Sequence, residues 1–140
     1  MTTWLKLIGC SKRPITGHPF YGRYEEDHVG FRKDRKPGIR MDDHLFLYAP
    51  GGSRRIFALA KAISDPEHND KYNPQEEGSC RWKINIRYLI NLHVSDGIDI
   101  DEINTGQRDL MVSIQRQSHI RLFPDEYQVA LSRLQQKSAE

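Results

Sequence analysis

Arg81-Trp-Lys-Ile-Asn-Ile-Arg-Tyr-Leu-Ile90 sets Trp82, Ile84, Ile86, Tyr88 and Ile90 on one side and Arg81, Lys83, Asn85 and Arg87 on the other. A period of two is the signature of a β-strand. One face is aromatic and branched aliphatic while its reverse is basic, so the strand is expected to cover a core inward and present positive charge outward. A sheet domain with a cationic surface follows, and such surfaces often meet phosphate.

The strands around it follow from composition and punctuation. Thr3 to Gly9 reads as a short first strand whose partner is not adjacent in sequence. From Cys10 to Arg40 the chain turns polar and carries Pro14, Gly17, Pro19, Gly22, Gly30, Pro37 and Gly38, which predicts ordered loop with at most one helical turn. His44-Leu-Phe-Leu-Tyr48, bounded by Asp42-Asp43 and by Pro50-Gly51-Gly52-Ser53, reads as a buried strand feeding a hairpin whose return strand is Arg55 to Ile63.

Ser64 to Ser79 holds Pro66, Pro74 and Gly78 among charges and is expected to be a mobile excursion. Asp99 to Gly106 reads as a short helix, with Asp99 as N-cap and Gly106 as its stop. Met111 to Ile114 and Ser118 to Phe123 are candidate final strands. Pro124-Asp-Glu opens a helix whose Tyr127, Ala130, Leu131 and Leu134 form a stripe that packs on the sheet. The expected fold class is α+β, mainly β: a mixed β-barrel covered by short helices and a C-terminal helix.

With 140 residues, 37% hydrophobic and 29% charged, the chain fits one domain spanning 1–140 that buries about two thirds of its unfolded surface. Net charge is +2, yet residues 1–55 hold 11 Lys/Arg against 6 Asp/Glu while 56–140 hold 10 against 13. That asymmetry suggests a positive patch built by the N-terminal third, set against the alternative of a solvated charged loop. Cys10 and Cys80 match no metal spacing and read as buried free thiols suited to a reducing compartment. No apolar stretch approaches a membrane span and Met1 is not followed by a signal-peptide core, so a soluble, cytoplasmic protein is expected.

Four strings in succession carry a resemblance: Met41-Asp-Asp-His-Leu-Phe-Leu-Tyr48; Arg55-Ile-Phe-Ala-Leu-Ala-Lys-Ala with Asp65-Pro66; Arg81-Trp-Lys-Ile-Asn-Ile-Arg87; and Arg116-Gln-Ser-His-Ile-Arg-Leu-Phe-Pro-Asp-Glu-Tyr127. In this order, from about Met41 to Leu134, the chain resembles an EVE domain of the PUA-like superfamily, which also holds the YTH and ASCH domains. The resemblance implies a small curved barrel whose pocket accepts one base, often modified, turned out of DNA or RNA. The loop at 11–40 then contributes to the pocket, and 64–80 stays a flexible loop. No metal and no cofactor are expected, and a monomer is favoured over an oligomer.

The energetics suit such a reader. Extruding a base costs a few kcal/mol, while stacking it on an aromatic face returns about 1–3 kcal/mol. A methyl-sized niche adds only about 1 kcal/mol, so selectivity also needs polar contacts to the base edge. Backbone near Gly9, Cys10 and Ser11 is one candidate source.

The family's signature Trp-Asp-Gly-Val-Arg-Asn is nearest to His28-Val-Gly-Phe-Arg-Lys33, in which Gly30 and Arg32 match. His28, or Val29 with a one-residue gap, stands at the tryptophan position, and Lys33 at the asparagine. Phe31 is the expected substitute wall, with Phe20, Tyr21 and Tyr24 as alternatives. The resemblance also places Trp4, Tyr48, Gln117 and Ser118 at the pocket; on burial habits alone Tyr48 reads equally well as core, and a lone Trp on a first strand, such as Trp4, usually is core. Arg32, Lys33, Arg35, Lys36 and Arg40, with Arg54 and Arg55 on the hairpin, are the proposed phosphate contacts, against the alternative of a solvated face.

Two other function classes stand beside the reader. The histidines at 18, 28, 44, 68, 93 and 119 show no metal-binding pair, and no glycine-rich phosphate loop is present, but Ser11, Cys10 or Asp65 can belong to a spatial constellation. A small ASCH-like enzyme acting on nucleosides or modified RNA is therefore the first alternative. The second is a protein interaction module using the 64–80 loop, with a modest response to salt.

Overall fold

A computed structural model describes residues 1–8, 26–50, 54–76, 79–115 and 117–140 of the chain. Cys10, Ser11 and the ring candidates Phe20, Tyr21 and Tyr24 lie outside the described residues. The alternating stretch forms the longest strand, β6 (Trp82–Asn91), flanked antiparallel by β4 (Arg55–Ala62) and β2 (Glu26–Phe31). Beyond β4 come β3 (His44–Ala49), β1 (Thr3–Leu7) and β8 (His119–Arg121), in the order β2-β6-β4-β3-β1-β8. Two-residue strands β5 (Glu67–His68) and β7 (Ile98–Asp99) pair with β6 and β4. The result is a mainly-β α+β fold in which the sheet curls as a half-barrel and the C-terminal helix α2 (Pro124–Ala139) covers one face.

Strand β1 runs parallel to β3 and antiparallel to β8, so the first strand takes its neighbours from distant parts of the chain. Alternation along β1 sends Trp4 and Ile8 to one core cluster, with Val29, Phe31, Leu45, Leu47, Ile84 and Ile86. Leu5 goes to the other, with Phe46, Tyr48, Ile56, Ile98 and the helical residues Ala130 and Leu134. Each face of the sheet thus has its own core, the second roofed by α2 as its Tyr127, Ala130, Leu131, Leu134 stripe requires.

Several sequence expectations are corrected. Strand β2 occupies part of the segment expected to be loop: Glu26, Asp27 and His28 are poor β-formers, but their register against Arg87, Ile86 and Asn85 completes the sheet. Met111 to Ile114 is not a strand but the helix α1 (Leu110–Ile114), because the Asp109 carboxylate accepts from the backbone amides of Met111 and Val112 and nucleates a turn. The helical turn after Asp99 is a 3₁₀ segment, Ile100–Ile103, closed at Asn104 rather than at Gly106; Asp99 caps it, with Glu102 completing the capping box. The 64–80 stretch contributes β5 and the bond from the Asn69 side-chain amide to the Cys80 carbonyl, 2.9 Å.

The alternation of β6 slips once. Tyr88 pairs with Ala60 and Ile90 with Leu59, so Leu89 is an extra residue in a β-bulge, 48% exposed. As a result Ile90 packs against the second cluster rather than beside Tyr88. The basic reverse face is also largely neutralised: Arg87 pairs with Glu26 at 2.7 Å and Arg81 with Asp34 at 3.0 Å.

Candidate functional site

The rim of the sheet where β1, β8 and the end of β2 meet holds a cavity of about 370 Å³. Phe31, Lys33, Arg35, Lys36, Pro37, Gly38, Gln117, Ser118 and His119 line it. That volume lies in the range of about 300–1,000 Å³ typical of small-molecule sites. Two stretches far apart in sequence, 31–38 and 117–119, converge here because the sheet curls until its β8 edge meets the end of its β2 edge.

The cavity wall is built from cross-strand neighbours. Lys6 lies opposite His119 and Trp4 opposite Arg121 in the β1–β8 register. The His119 ring stands edge-on to both Trp4 (5.4 Å between centroids) and Phe31 (5.2 Å, interplanar angle 90°). The Lys6 ammonium lies 4.5 Å from the Phe31 ring centroid and donates to Ser118 Oγ at 3.5 Å, and Ser118 Oγ is 2.9 Å from His119 Nδ1. The Ser118 carbonyl accepts from the Leu7 amide at 3.0 Å, which fixes the serine against β1.

Trp4 forms the layer beneath. It is 8% exposed, and its indole Nε1 donates to Asp43 Oδ2 at 3.0 Å. Its Cη2 would stand 3.7 Å from a methyl group built on Gly38, so the indole backs that part of the wall. Asp43 also accepts from the backbone amides of Thr2 (2.9 Å) and Arg40 (3.0 Å), which ties Trp4 to the basic segment at 32–40.

The electrostatics are cationic outside and desolvated inside. Lys33, Arg35 and Lys36 are exposed at the mouth, and Arg32 is exposed beside them. Burial draws the Lys6 pKa down to about 8, and the Arg32 charge pushes the same way while the nearby Cys80 thiol opposes it. Burial, followed by the charges of Lys6 and Lys33, lowers His119 to about 4, so the imidazole is neutral at physiological pH.

The residues expected at a base pocket separate accordingly. Phe31, Gln117 and Ser118 line the cavity and Trp4 backs it, whereas His28 and Tyr48 lie elsewhere. Alternation along β2 turns His28 away from Phe31, into a second cavity of about 640 Å³ with Gly30, Lys71, Cys80 and Lys83. Tyr48 is 2% exposed in the opposite core, on the face of Phe46 and Ile56, where burial raises its pKa.

Of the expected phosphate contacts, Lys33, Arg35 and Lys36 stand at the cavity, with Arg32 beside them and Arg40 exposed at the end of the segment. Arg54 and Arg55 do not. Arg54 is held by Asp101 at 2.5 Å and by Asp99 at 3.6 Å, and Arg55 lines a separate cavity with Arg133 and Lys137.

Lys6, Pro37, Gly38 and His119 were not anticipated. A signal for Lys6 exists: in Trp4-Leu-Lys-Leu-Ile8 the lysine shares the inward face of Trp4 and Ile8, an unusual place for a charge. His119 carried no local signal, because its significance rests on Lys6 across the strand pair.

Among the described residues, no group of three or more His, Cys, Asp or Glu side chains is placed to hold a metal ion, and no helix is long and apolar enough to cross a membrane. No protein-family profile and no curated protein sequence matches the chain. Solved structures do. Protein Atu2648 from Agrobacterium tumefaciens aligns with a TM-score of 0.61 at 13% identity, over 98% of this chain and 93% of that one. Protein PSPTO5229 from Pseudomonas syringae aligns with a TM-score of 0.61 at 9% identity, over 93% and 97%. The ASCH protein from Zymomonas mobilis aligns with a TM-score of 0.52 at 12% identity, over 94% of each chain. The chain therefore shares its fold, along nearly its whole length, with the ASCH protein from Zymomonas mobilis.

Proposed function

We propose that this protein is an EVE-like reader of nucleic acid that accepts one extruded, modified base in the cavity lined by Phe31, His119 and the basic segment at 33–36. The observation that carries the reading is the convergence, in one cavity of about 370 Å³, of a ring-bearing wall with the three exposed cations Lys33, Arg35 and Lys36. The half-buried His119 ring, backed by Phe31, offers an aromatic surface for a planar heterocycle, and such stacking is worth about 1–3 kcal/mol. The cations at the mouth meet the phosphates on either side of it. Ser118, His119 and Gln117 supply the polar contacts through which one base is told from another. The shared fold with an ASCH domain is compatible with this reading.

The test is a panel of modified and unmodified DNA and RNA oligomers titrated at two salt concentrations. The wild-type protein should bind, with affinity that falls as salt rises and depends on modification. Replacing Lys33, Arg35 and Lys36 together by alanine should weaken binding and reduce the logarithmic salt slope by about 2 on a single strand, from about 0.7 per phosphate. Absence of binding to every oligomer, or binding indifferent to salt, would refute the reading.

One observation favours an enzymatic alternative: Lys6, Ser118 and His119 lie in a row at the cavity wall. Turnover of nucleosides or modified oligomers that is lost in Ser118→Ala would establish it.

A further inference from the structure

We propose that His119 is the hydrogen-bond donor by which the cavity selects its base, and that Lys6 and Ser118 lock its imidazole in the Nε2–H form. This deepens the reader function proposed above and rests on it.

The argument is one of donor and acceptor inventory. An ammonium has three donors and no acceptor, so the contact between Lys6 Nζ and Ser118 Oγ uses a serine lone pair. The serine keeps its proton and a second lone pair; giving that proton to the imidazole nitrogen 2.9 Å away makes His119 Nδ1 the acceptor, and this is the direction we assign. A neutral imidazole carries one N–H, which is thereby assigned to Nε2. His119 lines the cavity, so the wall offers an N–H donor beside the Phe31 ring.

The charge states support the same assignment. Lys6, at about 8, is mostly protonated at neutral pH, and His119, at about 4, is neutral. Trp4 and Phe31 hold the ring edge-on from two sides, and the backbone bond from Leu7 to Ser118 holds the serine. The ring is therefore held in place before a ligand arrives, which reduces the ordering cost of binding.

A fixed donor selects for an acceptor. Its partner is a base edge that presents a carbonyl oxygen or an unprotonated ring nitrogen. A base whose matching position carries an amino group or a ring N–H meets donor against donor and is rejected, because both groups stay unpaired in a desolvated site.

Two measurements test this. Long-range proton–nitrogen NMR correlations of the free protein report which imidazole nitrogen carries the proton. Wild type is expected to show Nε2–H, with mixing of tautomers in Ser118→Ala and in Lys6→Met; a wild-type Nδ1–H form overturns the inference. Binding is then compared between the oligomer that wild type binds most tightly and its analogue lacking the acceptor, such as guanine against an aminopurine without the carbonyl.

Removing the acceptor should weaken wild-type binding by about three- to tenfold, the worth of one net hydrogen bond, and leave binding to His119→Phe unchanged. Equal losses on wild type and His119→Phe overturn the donor role while leaving the reader function standing. No binding to any oligomer overturns the reader function, and this assignment with it.

Discussion

Asp43→Ala is expected to destabilise the fold by about 3–4 kcal/mol. The carboxylate is 6% exposed and accepts from the Trp4 indole at 3.0 Å, the Thr2 amide at 2.9 Å and the Arg40 amide at 3.0 Å. Hydrogen bonds to a charged acceptor contribute about 1.5–3 kcal/mol each, and a buried donor left alone costs about 1–3 kcal/mol. Thr2 is half-buried and Arg40 exposed, so water can replace part of what their amides lose, while the buried indole N–H bears its full loss. The sum is therefore less than three times the single-bond figure.

Urea unfolding followed by both circular dichroism and tryptophan fluorescence is the assay. With a slope of roughly 2 kcal/mol/M, the midpoint should fall by about 1.5–2 M. Asp43→Asn should lie between wild type and alanine, because one oxygen still accepts. A loss under about 1 kcal/mol in Asp43→Ala would refute the view that this carboxylate holds Trp4 and the 32–40 segment together.

The same group gives a pH signature of known sign. Burial raises the Asp43 pKa, but the hydrogen bonds from Arg40, Thr2 and Trp4 and the N-terminal charge outweigh it and hold the pKa below the ordinary carboxylate value. Its stabilising contribution is therefore fully present above about pH 4, the unfolded value, and is lost as pH falls through the folded pKa. The gap between wild type and Asp43→Asn should be flat between about pH 5 and 7 and close in acid.

Three further outcomes are expected. Glu126 is fully buried and accepts from Arg108 Nε (2.9 Å), Arg108 Nη2 (2.7 Å) and the Phe123 amide (2.7 Å), so Glu126→Ala should cost about 3–5 kcal/mol in chemical denaturation by stranding a half-buried guanidinium. Gly97→Ala places a methyl 2.4 Å from the Ile56 carbonyl oxygen, a backbone atom unable to yield cheaply, and should lower stability by about 2 kcal/mol or more in the same assay.

Lys6→Met should be more stable than wild type at pH 7. Desolvation has moved the lysine pKa from 10.5 to about 8, a penalty on the order of 3 kcal/mol. The unfolded chain binds more protons between these values, so wild-type stability rises with pH through that window and the advantage of methionine shrinks there. Thermal melts from pH 7 to 10.5 showing no such convergence would contradict it.

The strands were legible wherever one rule governed them. Trp82 to Tyr88 and His44 to Tyr48 announced themselves by alternation or by an unbroken apolar run, and Pro124 with its stripe announced α2. Legibility failed where a partner outside the segment, distant or adjacent, overrode the segment's own preference. Glu26-Asp-His28 becomes strand because β6 offers it a ladder, and Met111-Val-Ser-Ile114 becomes helix because the Asp109 side chain supplies a cap.

It failed also where a bulge changed parity. The extra residue at Leu89 moves Ile90 to the other core, an inversion no period-two count can foresee. At the cavity, Phe31, Gln117, Ser118 and the basic segment could be named from the sequence. The placing of Tyr48 on the far face and the meeting of Lys6 with His119 belong to the topology.

The seating of β1 between β3 and β8 bears on how the polypeptide is made. This ribbon emerges from the ribosome well before β3 and more than a hundred residues before β8. At synthesis rates of about 5–20 residues per second, its second edge waits roughly 6–23 s for a mate. During that interval Trp4, Leu5, Leu7 and Ile8 form a sticky, half-zipped template open to other nascent chains. Any message truncated ahead of codon 119 should therefore yield product found in inclusion bodies rather than in the supernatant.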